Sequence, residues 1–178
     1  MEFESTTPAE AAEIRKRWAR SPQESFDELA RGLTEYGVDM YNVSWMSAED
    51  SEVAIRHWRA LGAEKYGRLT LVPPEGSNVR RGEFSDGTVP PWLAQDRCSQ
   101  RVLVSFSAAM PVGLLAICEW GFVVDNLSQL ARADGDGYAV AKSDLQGVVL
   151  VNIDDDLGDK AFLVDAWGDF VLNVDDGQ

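Results

Sequence analysis

The sequence predicts an α+β fold, with N-terminal helices followed by a mainly antiparallel β-sheet of about six strands. Three observations predict it. Helix-capping signals recur through the first third of the chain. Val102 to Cys118 runs seventeen residues without a charge. Short segments rich in Val, Leu, Phe or Tyr, bounded by Gly or Asp, fill the last third. Helices first and strands later is the α+β order, not the alternating one.

Thr7-Pro8-Ala9-Glu10 opens the first helix, which the spacing extends from Pro8 to about Arg20 with Ile14 and Trp18 facing inward. Ser21-Pro22-Gln23-Glu24 repeats the device and starts a helix running to about Tyr36. Phe26, Leu29, Ala30, Leu33 and Tyr36 form its apolar stripe, and Gly37 stops it. Val38 to Trp45 has the composition of a short strand. Ser47-Ala48-Glu49-Asp50 opens another helix, with Ala54, Trp58 and Leu61 on one face and an end near Gly62.

Arg68 to Val72 predicts a strand, and Pro73-Pro74 ends it. From 73 to 100 the chain is expected as a long loop, with Gly76, Gly82, Gly87, Pro90 and Pro91 and a basic pair at Arg80-Arg81. The uncharged run then needs burial in protein or in lipid. Seventeen residues is the bottom of the membrane-spanning range, and Pro111 and Gly113 interrupt it. Two buried strands broken at Met110-Pro111 fit better, the second, Val112 to Cys118, being apolar on both sides and so central; sheet continues towards Val124. Asp125-Asn126 caps a short helix through about Ala131. Tyr138–Ala141, Gly147–Ile153, Ala161–Asp165 and Phe170–Val174 complete the expected sheet. One domain spans 1–178, mainly helical over 1–62 and mainly β over 68–174.

Charge narrows the function classes. Thirty acids against sixteen bases give a net charge of −14. Residues 119–178 alone hold thirteen acids and three bases. That balance argues against nucleic acid and against anionic lipid, and it suits a basic protein partner. Two cysteines, Cys98 and Cys118, and an N-terminus without a basic and apolar leader predict a reduced, cytoplasmic protein.

No motif announces catalysis, metal or cofactor. Asp134-Gly-Asp-Gly and Asp154-Asp-Asp-Leu-Gly-Asp159 are rich in ligand oxygens, yet neither has the EF-hand order of acids and glycine. Both fit hairpin turns. His57, the single histidine, lies between Arg56 and Trp58 with no serine elbow anywhere in the chain. Glu119 and Asp165 are the carboxylates best placed for an enzyme of unrecognised type. Six tryptophans are plentiful for this length, and Trp92 and Trp167 sit among turn residues where they would be exposed.

Trp120-Gly-Phe-Val-Val-Asp125 and Gly147-Val-Val-Leu-Val-Asn152, with small size and acidity, carry a resemblance in character. The chain resembles immunity proteins of bacterial polymorphic-toxin systems, of the type paired with NAD-hydrolysing necrotizing toxins. The resemblance implies a cytoplasmic inhibitor without catalysis or cofactor that occludes the active site of a cognate toxin. Its expected contact residues are Asp134, Asp136 and Tyr138, then Asp154, Asp155 and Asp156, then Trp167 and Asp169, with Trp167 the desolvated anchor. A chaperone-like adaptor holding a partner chain on its sheet, and a carboxylate enzyme, are the alternatives.

Overall fold

A computed structural model describes residues 21–61, 73, 76–85, 87–94, 99–109, 112–135, 137–153 and 161–170. The first predicted helix, the strand Arg68–Val72, Cys98, Asp136, Asp154 to Asp156 and residues 171–178 lie outside the described residues. Within them the α+β fold is observed, built on a seven-stranded, wholly antiparallel sheet.

Helix α1 spans Pro22–Glu35. Its start is the capping box read from the sequence: Ser21 Oγ accepts from the Glu24 amide at 3.2 Å, and Glu24 Oε2 accepts from the Ser21 amide at 2.8 Å. Leu29 and Leu33 are its fully buried residues, one turn apart. A 3-10 turn, Met40–Asn42, precedes β1, which is only Ser44–Trp45. The expected strand from Val38 is therefore mostly a turn. Asp39 is the reason, because its carboxylate caps the turn and bends the chain there.

Helix α2, Ala48–Leu61, starts where Ser47 Oγ accepts from the Asp50 amide at 3.1 Å. Its buried stripe is Ser51, Ile55 and Trp58. Ser51 Oγ also accepts from the Leu115 amide at 3.2 Å, which pins α2 beside the sheet.

The expected loop over 73–100 holds two elements instead. Strand β2, Val79–Ser85, pairs with β7 over seven residues, and α3 is Pro91–Ala94. Glycine, proline and the arginine pair hid the strand. Its charges suit an edge, which is where β2 lies. Strand β3 is Arg101–Phe106, and β4 is Ala116–Glu119, shorter than expected. The apolar stretch after Glu119 is not sheet: Trp120–Asp125 is helix α4, burying Trp120, Val123 and Val124 at helical spacing. Helix α5, Leu127–Asp134, follows, then β5, Gly137–Lys142, β6, Gly147–Ile153, and β7, Ala161–Gly168. Phe170 lies in the turn after β7.

The strand order is β1-β4-β3-β5-β6-β7-β2. The central strand is thus β5, buried at every residue, and β4 is second from an edge. One sheet face, with Val104, Phe106, Val140, Val151 and Phe162, packs against α1, α4 and α5. The other, with Leu103, Ala141, Val148 and Trp167, packs against Ile55 and Trp58 of α2. Apolar burial on both faces is what the uncharged middle of the chain supplies. No helix among the described residues is long and apolar enough to cross a membrane.

Candidate functional site

The expected contact residues divide between opposite ends of the sheet. Pairing of Gly137 with Asn152 places the α5–β5 turn beside the end of β6, from which residues 154–160 lead to β7. Pairing of Gly147 with Gly168 places Trp167 and Asp169 at the other end. Asn152 lies five residue steps along β6 from Gly147, about 17 Å at the usual rise. The α5–β5 turn and the end of β6 thus lie at one end of the sheet, and Trp167 and Asp169 at the other.

Three of the named side chains have work inside the fold. Asp134 is half-buried at the end of α5, and its Oδ1 accepts from the Ala108 amide at 3.0 Å. That bond ties α5 to the turn after β3. Tyr138 is 3 % exposed; its ring lies 5.7 Å from that of Phe106, and its hydroxyl donates to the Leu127 carbonyl at 3.3 Å. Trp167 is 6 % exposed and packs with the α2 side of the sheet. The expectation of an exposed Trp167 anchor fails because β7 runs through to Gly168 and alternation turns the indole onto a covered face. Tyr138 fails as a surface contact for the same kind of reason: it is a strand residue facing α5, not part of the preceding turn. Asp169 is half-buried, and its carbonyl accepts from Lys142 Nζ at 3.2 Å.

The carboxylates proposed for chemistry do not converge. Glu119 is exposed at the end of β4, and Asp165 lies on β7 with Arg81 Nε 3.3 Å from its Oδ1. Four strand spacings separate β4 from β7, roughly 19 Å, where a hydrolytic carboxylate pair needs about 5–10 Å. Among the described residues, no group of three or more His, Cys, Asp or Glu side chains is arranged to hold a metal. Cys118 is buried, and burial pushes its thiol up to about 12, so it is protonated and unreactive at neutral pH.

The most exposed aromatic residue among those described was hidden in the expected strand. Tyr41 is 98 % exposed at the middle of the 3-10 turn. Its amide donates to Asp39 Oδ1 at 3.0 Å, and Asn42 Nδ2 donates to Asp39 Oδ2 at 3.3 Å. Val38 and Val43 are buried on either side, so the turn is fastened to the core at both ends. Tyr36, at the end of α1, is 46 % exposed. The signal that would have found this turn is Asp39 two residues before Tyr41, an Asx-type cap. Searches against protein-family models, curated proteins and solved structures return no match to this chain.

Proposed function

We propose that this chain is an immunity protein that binds a basic toxin domain and blocks its active site. One observation carries the reading: the charge surplus, −14 overall, of which residues 119–178 supply thirteen acids against three bases. A net charge of that size accelerates encounter with a basic surface and disfavours nucleic acid and anionic membrane. The frame suits such a role, since a sheet covered on both faces holds surface groups in fixed positions before binding. Of the expected contact residues, Asp136, Asp154, Asp155 and Asp156 are the proposed acidic contact, while the Asp134 carboxylate is held inside the fold by the Ala108 amide. Tyr138 and Trp167 are withdrawn from it by their burial.

Co-expression tests the reading. If a large secreted protein is encoded directly upstream, its C-terminal domain is expressed in a bacterial host with and without this chain. Restored growth, and a complex that weakens as salt rises, is the expected result. A toxic domain that stays toxic in the presence of well-folded chain overturns it.

A further inference from the structure

We propose that the capped turn Asp39–Asn42 is the docking point for a basic protein partner, with the Tyr41 ring as the seat for an arginine side chain. The inference rests on the reading above only in taking the partner to be a protein with a basic surface.

Exposure is the first argument. A tyrosine ring 98 % open to water is the kind of amphipathic, entropically cheap group that anchors interfaces. The second is rigidity. Asp39 fixes both the Tyr41 amide and the Asn42 side chain, and Val43 N–H donates to the Met40 carbonyl at 3.2 Å. Only the two side-chain torsions of Tyr41 need to be fixed on binding, so little conformational freedom is lost.

The third is charge complementarity. Residues 32–42 contain Glu35 and Asp39 and not one lysine or arginine. The face of an aromatic ring attracts a cation, a guanidinium most readily, because it stacks while still donating hydrogen bonds to a carboxylate alongside. Asp39 and Glu35, both exposed, belong to the same stretch as the ring. Elsewhere the chain seats its own cations on its own rings: Arg80 lies 5.1 Å from the Trp92 ring, Arg132 5.5 Å from Phe162, and Lys142 4.9 Å from Phe170. Almost complete exposure leaves the faces of Tyr41 open to a cation from outside.

The test titrates the full-length, isotope-labelled chain with a short arginine-rich peptide and its lysine-rich counterpart, followed by amide NMR. The expected result is that shifts concentrate on residues 35–42, that arginine binds more tightly than lysine, and that Tyr41→Ala weakens the arginine peptide by about tenfold. Tyr41→Phe retains binding, since the ring face and not the hydroxyl is used. Shifts spread evenly over the other acidic surfaces, or equal affinity in Tyr41→Ala, overturn the proposal. The Tyr41 side chain is 98 % exposed and the Asp39 cap uses only its backbone amide, so the variant is expected to fold, and its amide spectrum verifies that. Toxin neutralisation separates the two claims. If wild-type chain neutralises a toxin and Tyr41→Ala neutralises it equally, the docking point is wrong and the immunity reading stands. If no toxin is neutralised but the peptide lands on Tyr41, the immunity reading fails and the docking point stands.

Discussion

Gly32 lies directly against the backbone of Ala133: a methyl group on Gly32 would sit 2.9 Å from the Ala133 carbonyl oxygen and 3.1 Å from its Cα. Gly32 is in α1 and Ala133 in α5, so this is where these two helices touch on their shared sheet face. Two effects oppose each other in Gly32→Ala. Helix propensity favours alanine by about 1 kcal/mol. Overpacking against backbone that cannot rotate away costs about 1–3 kcal/mol. The contact wins, so Gly32→Ala is expected to lower stability by about 1 kcal/mol in urea unfolding. A more stable variant would show that α1 and α5 separate at little cost.

The helices α1 and α2 were legible because each begins with a polar cap whose side chain has one obvious use, as Ser21 and Ser47 show. The strands β3, β5 and β6 were legible because buried strands leave runs of Val, Leu and Ala that water will not accept. Strand β2 was not, because an edge strand carries Arg80, Arg81 and Glu83 and looks like loop. Helix α4 was not, because Trp120 to Val124 is apolar enough for either state and only packing selects between them. The surface assignments suffered most. Turn-like neighbours at Trp167 said nothing about which sheet face was covered, and Tyr41 was visible only once Asp39 was recognised as a cap.

Lys142 Nζ donates to the Asp169 carbonyl at 3.2 Å and lies 4.9 Å from the Phe170 ring, although the residue is 7 % exposed. It closes the β5–β6 loop onto the turn after β7. Lys142→Ala loses a charge-assisted hydrogen bond, a cation–π contact and the packing of the stem, about 2 kcal/mol together. Lys142→Met keeps the stem and is expected to lose about half as much. Equal losses for Ala and Met, measured by urea unfolding, would show that the stem contributes nothing.

Arg81 and Asp165 form the cross-strand ion pair of the β2–β7 edge, with side chains 77 % and 36 % exposed. Water screens such a pair, so Asp165→Asn and Arg81→Ala should each cost less than about 1 kcal/mol. The same variants address the enzyme alternative. If the chain acts by binding, Asp165→Asn leaves toxin neutralisation at the wild-type level. A variant that is folded yet inactive would instead place Asp165 in the working site.

Cys118 and Tyr138 set how stability responds to alkali. Burial pushes the Cys118 thiol from its ordinary 9.0 up to about 12. Burial, and then the charge of a neighbouring Cys118 thiolate, pushes the Tyr138 hydroxyl well above its ordinary 10.0. The unfolded chain therefore sheds a proton from the thiol above about pH 9 and from the phenol above about pH 10, while the folded chain keeps both. Where the unfolded state binds fewer protons, stability falls as pH rises. Below pH 9 these groups give no slope. Urea unfolding from about pH 8 to about pH 11 should show the fall, and Cys118→Ala and Tyr138→Phe should each flatten it whatever their effect on the absolute level. Thiol labelling gives an independent reading. In a Cys98→Ser background Cys118 is the one remaining thiol, and a disulfide reagent at about pH 8 should modify it no faster than the chain unfolds. Rapid labelling of the native chain would mean that β4 opens on its own, and the alkaline slope would then belong to other groups.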